Sequence, residues 1–406
     1  MEILTPKTFK DRISTTDASG RRVRVIPAAI KGYYQKRKDV VHFLLVTFFL
    51  ILPWLKVGGA PAFLIDIVHR RFFILGFLFL PQDVPGIFFV IGSFVILLLL
   101  VSALYGRVWC GWACPQTVFI EGFFRRMERL IEGSHTQQRA LDAQSWNREK
   151  ILKRALKWSV FTAGSFVVTH GFLAYFLGPE NVLEMMRHSP LEHPSSFLIV
   201  VLTTGFMVFN FGWFREQFCL IACPYGRFQS VMMDEHSVTI AYDGKRGDCI
   251  NCNKCVQVCP TGIDIRNGFQ MECIACTACA DACDYVMRKM SKPEGLIRYA
   301  SDTELNGGKV SMVRARNLLY GFLLIVMFTG TAYRALSQKD FQTEILRAID
   351  TPYQIVEDQD GQKFVINHFN VNWYNLTTAN AGVSLHLSET EDPSNFELIQ
   401  GQTDFV

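Results

Sequence analysis

Five hydrophobic runs, separated by polar and basic segments, dominate the pattern of this chain. They cover residues 40–55, 86–105, 158–177, 197–214 and 318–336. Because a hydrocarbon core about 30 Å thick is crossed by about 20 helical residues, these lengths predict five transmembrane helices. The expected fold class is therefore an α-helical polytopic membrane protein.

Segments rich in Lys and Arg alternate along the chain with segments poor in them, and this alternation predicts the orientation of the helices. The rich segments carry ten, nine and thirteen basic residues, at 1–39, 106–156 and 215–316. The poor segments carry three, one and three, at 56–84, 178–195 and 337–406. Because basic loops stay on the cytoplasmic side, we expect the rich segments in the cytoplasm and the poor ones outside. The polar, basic start of the chain argues against a cleavable signal peptide.

This topology divides the chain into a basic N-terminus, a four-span domain, a cytoplasmic segment, a fifth span and a periplasmic tail. Their predicted bounds are 1–39, 40–214, 215–316, 317–336 and 337–406. In the tail, two apolar runs flank Asp360-Gly361, which predicts a β-hairpin. Residues 371–376 and 382–387 predict two further strands.

The composition agrees with a membrane protein and excludes some functions. Half of the 406 residues are apolar and 19% are charged, which rules out a disordered chain. The net charge of +4 gives no reason to expect nucleic acid as a partner. Twelve cysteines are too few for a disulfide scaffold, and all of them fall in short, regularly spaced groups.

Eight cysteines in the cytoplasmic segment form two copies of the spacing C-x2-C-x2-C-x3-C. In the bacterial two-cluster ferredoxin pattern, three closely spaced thiolates bind one cluster and the fourth Cys binds the other. We therefore predict a ferredoxin domain over about residues 240–292, with two [4Fe–4S] clusters as cofactors. The predicted ligands are Cys249, Cys252, Cys255 and Cys283 for one cluster, and Cys273, Cys276, Cys279 and Cys259 for the other.

Zinc is the alternative for these cysteines, because C-x2-C pairs also bind zinc. Two copies of one four-Cys spacing, with Pro260 after the first run, favour iron–sulfur clusters instead. Asp284 stands where a second Pro would follow, but Pro is not a ligand. The predicted cytoplasmic location argues against disulfides.

The other four cysteines form two C-x3-C-P motifs, at residues 110–115 and 219–224. Each motif follows the cytoplasmic end of a predicted span, which indicates an internal repeat of two helical hairpins. If the hairpins pack by pseudo-symmetry, the thiols of Cys110, Cys114, Cys219 and Cys223 converge at the inner membrane surface. Such thiols bind soft metals or cycle between dithiol and disulfide. The alternative is plain packing of small apolar side chains at helix ends.

These motifs, the eight-Cys insert before the last span and the external tail resemble the CcoG family, also called FixG or RdxA. The resemblance implies a protein of the bacterial inner membrane that supports assembly of cbb3-type cytochrome oxidase. It also implies a cupric reductase, in which Cu(II) is the substrate, the two C-x3-C-P motifs carry the copper chemistry and the clusters deliver electrons. The implied partners are copper, the lipid bilayer, oxidase assembly factors and an electron donor, either a quinol or a soluble reductant.

Two other functions stay open at this point. One is a polyferredoxin-type quinol dehydrogenase similar to NapH, whose relatives share C-x3-C-P motifs. The other is a non-enzymatic copper chaperone or assembly scaffold with structural clusters. The family also implies an immunoglobulin-like external domain, for which about 70 residues are fewer than the ~100 of a full sandwich.

Overall fold

The structure is a computed structural model, and it describes Thr15 and residues 23–67, 71–80, 84–311, 313–337, 341–347, 353–357, 363–375 and 382. It divides into two compact units. The first unit comprises Met1–Val57 and Pro61–Leu336, and the second comprises Gly58–Ala60 and Ser337–Val406. All twelve cysteines belong to the first unit.

Helices make up most of the first unit. The long α-helices are Tyr33–Ile51, Val84–Tyr105, Arg148–Leu177, Pro194–Val208 and Ala315–Leu336. The shorter α-helices are Val108–Trp112, Pro115–Phe119, Arg125–Glu132, His135–Ala143, Pro179–Arg187, Pro224–Met232, Lys254–Gln257, Ala278–Lys289 and Asp302–Leu305. Helical turns with π geometry cover Ile120–Phe124, Phe209–Phe214 and Phe218–Ala222, and turns with 3-10 geometry cover Leu52–Trp54, Gly244–Arg246 and Ile265–Asn267.

The strands are short. They are Lys56–Val57, Ala60–Pro61, Phe63–Asp66, Arg71–Ile74, Phe77–Phe79, Thr239–Tyr242, Ile297–Ala300, Phe341–Arg347, Gln354–Glu357, Lys363–Ile366 and Phe369–Asn375. The strands between residues 63 and 79 form one antiparallel three-stranded sheet in the loop before the second predicted span.

Four helices of the described residues are long and apolar enough to cross a membrane. They are Pro85–Tyr105, Arg148–Leu177, Pro194–Phe214 and Ala315–Leu336, and they correspond to the second through fifth predicted spans. The first predicted span, 40–55, lies mostly in helix Tyr33–Ile51 and is not among the four. That helix carries Lys36, Arg37, Lys38 and Asp39 in its first two turns, which shortens its apolar stretch.

The membrane helices meet around an aromatic core. The rings of Phe124 and Phe211 stack with centroids 4.8 Å apart, and Phe161 meets Phe124 edge-on at 5.1 Å. Such ring pairs stabilise the packing beyond the apolar area that they bury. They fix the π-helical turn at Ile120–Phe124 against the helix Arg148–Leu177.

A buried ion-pair network lies next to this core. Glu128, on the helix Arg125–Glu132, binds Arg24 at 2.7 Å and Arg215 at 2.8 Å. Lys157, three helical turns into Arg148–Leu177, binds the neighbouring Glu132 at 2.8 Å. Burial weakens solvent screening, so these pairs hold the N-terminal segment and two helices in one arrangement.

The cysteine-rich insert is closed at its base by two strands. Thr239–Tyr242 pairs antiparallel with Ile297–Ala300, so the chain enters and leaves the insert side by side. The predicted end of the ferredoxin domain at about residue 292 precedes this second strand, which belongs to the same compact fold. We call residues 239–300 the insert.

A buried carboxylate attaches the insert to the first helix. Asp281 accepts hydrogen bonds from the backbone N–H groups of Tyr34 at 3.0 Å and Gln35 at 2.7 Å. Both N–H groups lie in the first turn of the helix Tyr33–Ile51, where backbone N–H groups have no hydrogen-bond acceptor within the helix. Gly32 lies so close to the Asp281 side chain that a Cβ there would overlap it.

The second unit is β-structured where it is described. Gln354–Glu357 and Lys363–Ile366 pair antiparallel, as predicted from Asp360-Gly361. Phe341–Arg347 and Phe369–Asn375 form a second antiparallel pair, and the latter overlaps the strand predicted at 371–376. Apart from Gly382, the strand predicted at 382–387 lies outside the described residues.

Candidate metal centre

The eight cysteines of the insert line two cavities. The cavity that we call distal is lined by Cys249, Cys252, Cys255 and Cys283. The cavity that we call proximal, because the C-x3-C-P motifs described below pack against it, is lined by Cys259, Cys273, Cys276 and Cys279. Cys255 lines both cavities. The last cysteine of each run therefore lies at the cavity of the other run, which is the distribution that the sequence predicts for the ligands.

The two cysteine runs share an unusual backbone. Asn251 and Asn253 have φ values of 54° and 57°, and the equivalent residues Ala275 and Thr277 have φ values of 53° and 64°. This left-handed region is costly for residues with a Cβ, above all for a β-branched residue such as Thr277. Strain repeated at matching positions indicates that both loops are shaped around the same kind of group.

The chemistry of these side chains fits iron–sulfur clusters. Four thiols line the distal cavity and five, counting the shared Cys255, line the proximal one. Four thiolates are the donor set of a [4Fe–4S] cluster. Burial raises the pKa of Cys273 to about 12 and that of Cys276 to about 11, so unmetallated thiolates would be unfavourable there. Hydrogen-bonding partners are present as well, since the Ala275 N–H donates to the Cys273 Sγ at 3.4 Å.

Both C-x3-C-P motifs fold in the same way. Cys110 and Cys219 each lie in a single helical turn, at Val108–Trp112 and Phe218–Ala222. Cys114 and Cys223 are extended, and the following Pro is the first residue of a new helix. Proline is favoured there because its fixed φ suits the helix and its missing N–H is not needed. The helix break lies between the two cysteines of each motif, so they do not share one helical face.

The structure nevertheless brings these four cysteines together. In every pair among Cys110, Cys114, Cys219 and Cys223, the charge of one thiolate would raise the pKa of another. Burial is the main reason that the pKa of Cys110 rises to about 11, and it also raises the pKa of Cys114 and Cys219. We call these four side chains the thiol group.

The thiol group packs against the proximal cavity. Cys110, Cys276 and Ile274 belong to one buried apolar cluster, and Cys219 packs against it. Gly111 faces the insert so closely that a Cβ there would lie 2.6 Å from the carbonyl oxygen of Ile274. Next to it, the Trp112 Nε1 donates to the Tyr299 hydroxyl at 3.0 Å. The segment that carries Cys110 therefore packs directly against the loop that carries two predicted cluster ligands.

A buried polar network positions Cys110. Its Sγ donates to Gln229 Oε1 at 3.1 Å, and Arg107 Nε donates to the same oxygen at 3.2 Å. The Gln229 amide then donates to the Ser102 hydroxyl at 3.3 Å, and that hydroxyl lies 2.9 Å from the Tyr225 hydroxyl. The thiol is thus held by both sequence repeats, since Ser102 precedes one motif and Gln229 follows the other.

Within the described residues, no three His, Cys, Asp or Glu side chains are arranged for a single metal ion.

Several residues at this site carry no signal in the sequence. Lys38 and Arg107 read as ordinary basic residues flanking a membrane span, yet both are buried against the insert. Gln229 and Tyr299 belong to no motif. A pattern of spacing could not identify them, because their role depends on a contact between distant parts of the chain.

Two family models match the chain. One is described as a 4Fe-4S dicluster domain and matches residues 214–248 and 245–302. The other is described as a 4Fe-4S binding domain and matches residues 87–132, a range that includes Cys110 and Cys114.

Several curated proteins are similar to the chain. Protein RdxA of Cereibacter sphaeroides is 40% identical over 68% of this chain and 62% of its own length. Nitrogen fixation protein FixG of Rhizobium meliloti is 36% identical over 69% of this chain and 58% of its own. Ferredoxin-type protein NapH of Haemophilus influenzae is 23% identical over 52% and 70%, respectively. The chain spans about 60% of the length of RdxA and FixG, and no solved structure matches it.

Proposed function

This chain belongs to the CcoG/FixG/RdxA family of iron–sulfur electron-transfer proteins with membrane helices, and on that premise we propose that it reduces Cu(II) to Cu(I) at the thiol group. The observation that carries the proposal is the packing of Cys110 against Cys276 in one buried cluster. It supports a soft-metal site at the thiol group, beside an electron carrier in the proximal cavity.

The proposal assigns one [4Fe–4S] cluster to each cavity of the insert. Cys249, Cys252, Cys255 and Cys283 would hold the distal cluster, and Cys259, Cys273, Cys276 and Cys279 the proximal one. When bound, such a cluster stores and transfers one electron at a time. The matched left-handed loops support this assignment.

The thiol group supplies the preference for reduced copper. Thiolates are soft ligands that favour Cu(I), so binding at Cys110, Cys114, Cys219 and Cys223 raises the potential of the bound ion and eases its reduction. Each Cu(II) takes up one electron from the clusters, the cysteines that bind it give up their thiol protons to water, and no disulfide forms. The electron originates from a quinol or a soluble reductant.

The wider setting follows from the family and from the pattern of basic residues. We place the protein in the bacterial inner membrane with five spans, counting residues 40–55 as the first. The N-terminus and the insert lie in the cytoplasm, and the immunoglobulin-like tail, 337–406, lies in the periplasm. Its role is to supply Cu(I) for assembly of cbb3-type cytochrome oxidase, together with assembly factors.

A quinol dehydrogenase similar to NapH is the second candidate. Two observations favour it: the NapH match itself, and a cavity of about 500 Å³ lined by Trp158, Trp213 and Pro260. Pro260 directly follows Cys259, so the cavity adjoins a predicted cluster ligand. Quinol oxidation by the purified protein in lipid would support this function.

Anaerobic titration of the full chain with chelated Cu(II) tests the first proposal. The clusters are reduced beforehand, oxidation is followed by EPR, and Cu(I) is measured with a Cu(I)-specific chromophoric chelator. We expect one Cu(I) for each electron lost from the clusters. A variant with Cys110, Cys114, Cys219 and Cys223 changed to Ser should keep its iron and lose most of the rate.

The matched control leaves the thiol group intact. Ser195→Ala removes an exposed hydroxyl that lines neither cavity of the insert, and we expect normal copper reduction from this variant. If the four-Ser variant reduced Cu(II) at the wild-type rate, the thiol group would not be the copper site. If the clusters stayed reduced in the presence of Cu(II), the result would instead favour a non-enzymatic copper chaperone or assembly scaffold with structural clusters.

A further inference from the structure

Two buried cations from outside the insert contact the proximal loop. Lys38 is 2% exposed, and its Nζ donates to the Cys276 carbonyl oxygen over 3.3 Å. Arg107 is also 2% exposed, and it donates from Nη1 to the Met271 carbonyl oxygen. Both positive charges are therefore held against the loop that carries two of the proximal ligands.

These charges act on the proximal thiols. Lys38 reaches the backbone of Cys276, a predicted proximal ligand, and Arg107 reaches the backbone two residues before Cys273, another predicted ligand. Since buried charges are weakly screened, each cation favours additional negative charge in the proximal cavity.

Two acidic groups near the insert are themselves engaged. Glu121, in the π-helical turn Ile120–Phe124, forms an ion pair with Arg125. The carboxylate of Asp281 accepts two backbone N–H groups of the first helix. The two cations retain their effect because these acids have partners of their own.

The distal cavity has a different electrostatic environment. Its charged lining residues are Lys254 and Arg266, and Arg266 is paired with Asp264 at 2.7 Å. Cys252 is exposed to solvent, whereas Cys276 is buried. Water and the Asp264 carboxylate therefore weaken the positive charge at the distal cavity.

We propose that Lys38 and Arg107 raise the reduction potential of the proximal cluster above that of the distal one. Reduction adds one negative charge, which nearby buried cations stabilise. Electrons then pass from the exposed distal cluster to the proximal cluster and on toward the thiol group. This inference rests on the proposed iron–sulfur relay and adds its direction.

An anaerobic EPR redox titration of the full chain without copper tests the inference. We expect two midpoint potentials in the wild type. Lys38→Met should lower the higher potential and leave the lower one within error, whereas Lys38→Arg should restore it. Lys38→Gln keeps a donor for the Cys276 carbonyl but no charge, so it should behave like Lys38→Met.

Lys292→Met is the matched control. Lys292 also donates to a backbone carbonyl, that of Asp248 at 3.0 Å, but it lies on the distal side. We expect the higher potential to be unchanged in this variant. An unchanged higher potential in Lys38→Met and Lys38→Gln, at wild-type iron content, would overturn the inference, as would a fall of equal size in Lys292→Met. Because no copper is present, these results are independent of whether the protein reduces Cu(II).

Discussion

Single residues determine how closely the thiol group approaches the insert. Gly111 lies between Cys110 and Trp112, and its missing side chain leaves room for the backbone of Ile274 and Ala275. The contact would otherwise be too tight, since a Cβ there would also lie 2.7 Å from the Ala275 carbonyl oxygen. Gly111, which lies between the predicted functional residues Cys110 and Cys114, is therefore as restricted in residue type as these cysteines.

We predict that Gly111→Ala separates the thiol group from the proximal loop. Neither backbone carbonyl can move without disturbing the cysteine run, so overpacking should cost about 1–3 kcal/mol. The melting temperature of the detergent-solubilised protein should fall, and Cu(II) reduction should slow at unchanged iron content. Gly205→Ala is the control, because a Cβ at that helical position meets nothing within 4 Å. Equal behaviour of the two variants would contradict the close contact.

At this scale, the sequence could predict the cysteines but not their supporting residues. The eight insert cysteines are identified by spacing, because cluster geometry forces a short, regular pattern on the chain. Lys38 and Gln229 act across more than a hundred residues of sequence, at Cys276 and Cys110. A contact between such distant residues produces no periodic pattern in the sequence.

At the scale of elements, buried charges decide which helices pack together. Glu128 lies among Arg24, Lys157 and Arg215, and it is 2% exposed. Burial alone would raise the pKa of this carboxyl, but Arg215 and the other cations hold it far below its usual range. The hydrophobic pattern predicted the four helices that are long and apolar enough to cross a membrane. It missed this network, because it treats every charge near a span as a topology signal.

We predict that Glu128→Gln lowers stability by about 3–5 kcal/mol at pH 7, since it leaves buried cations without their partner. A depressed folded-state pKa stabilises the protein above the unfolded pKa of about 4.3, and this contribution is lost as the pH falls. The gap in melting temperature between wild type and variant should stay constant from pH 8 to about pH 5 and narrow below that.

Glu149→Gln is the comparison for this effect, because the pair of Glu149 with Lys153 is exposed. Such surface pairs contribute about 0–1 kcal/mol, so this variant should melt near the wild type at every pH. A gap for Glu128→Gln that widened on acidification would show that the carboxyl is protonated in the folded protein.

At the scale of the whole molecule, the division into two units separates the cysteines from residues 337–406. The first unit holds every cysteine, both cavities and the thiol group, whereas the described part of the second unit consists of antiparallel strands. The composition also changes at this point of the chain, since acidic residues outnumber basic ones eleven to three after Ser337. It could not predict that the first helix joins the insert through Asp281, because that contact links two segments with unrelated patterns.

We predict that a chain ending at Ser337 keeps its iron content and its rate of Cu(II) reduction in detergent. The reason is that the tail supplies none of the thiols, and the electron path runs entirely within the first unit. Iron analysis and the Cu(I) chelator assay check this directly. A second preparation, cleaved after folding at a protease site placed behind Ser337, separates any effect of the tail on folding from an effect on the reaction. If cleavage after folding abolished copper reduction, the reaction would need the tail, and the assignment of the copper chemistry to the thiol group alone would fail.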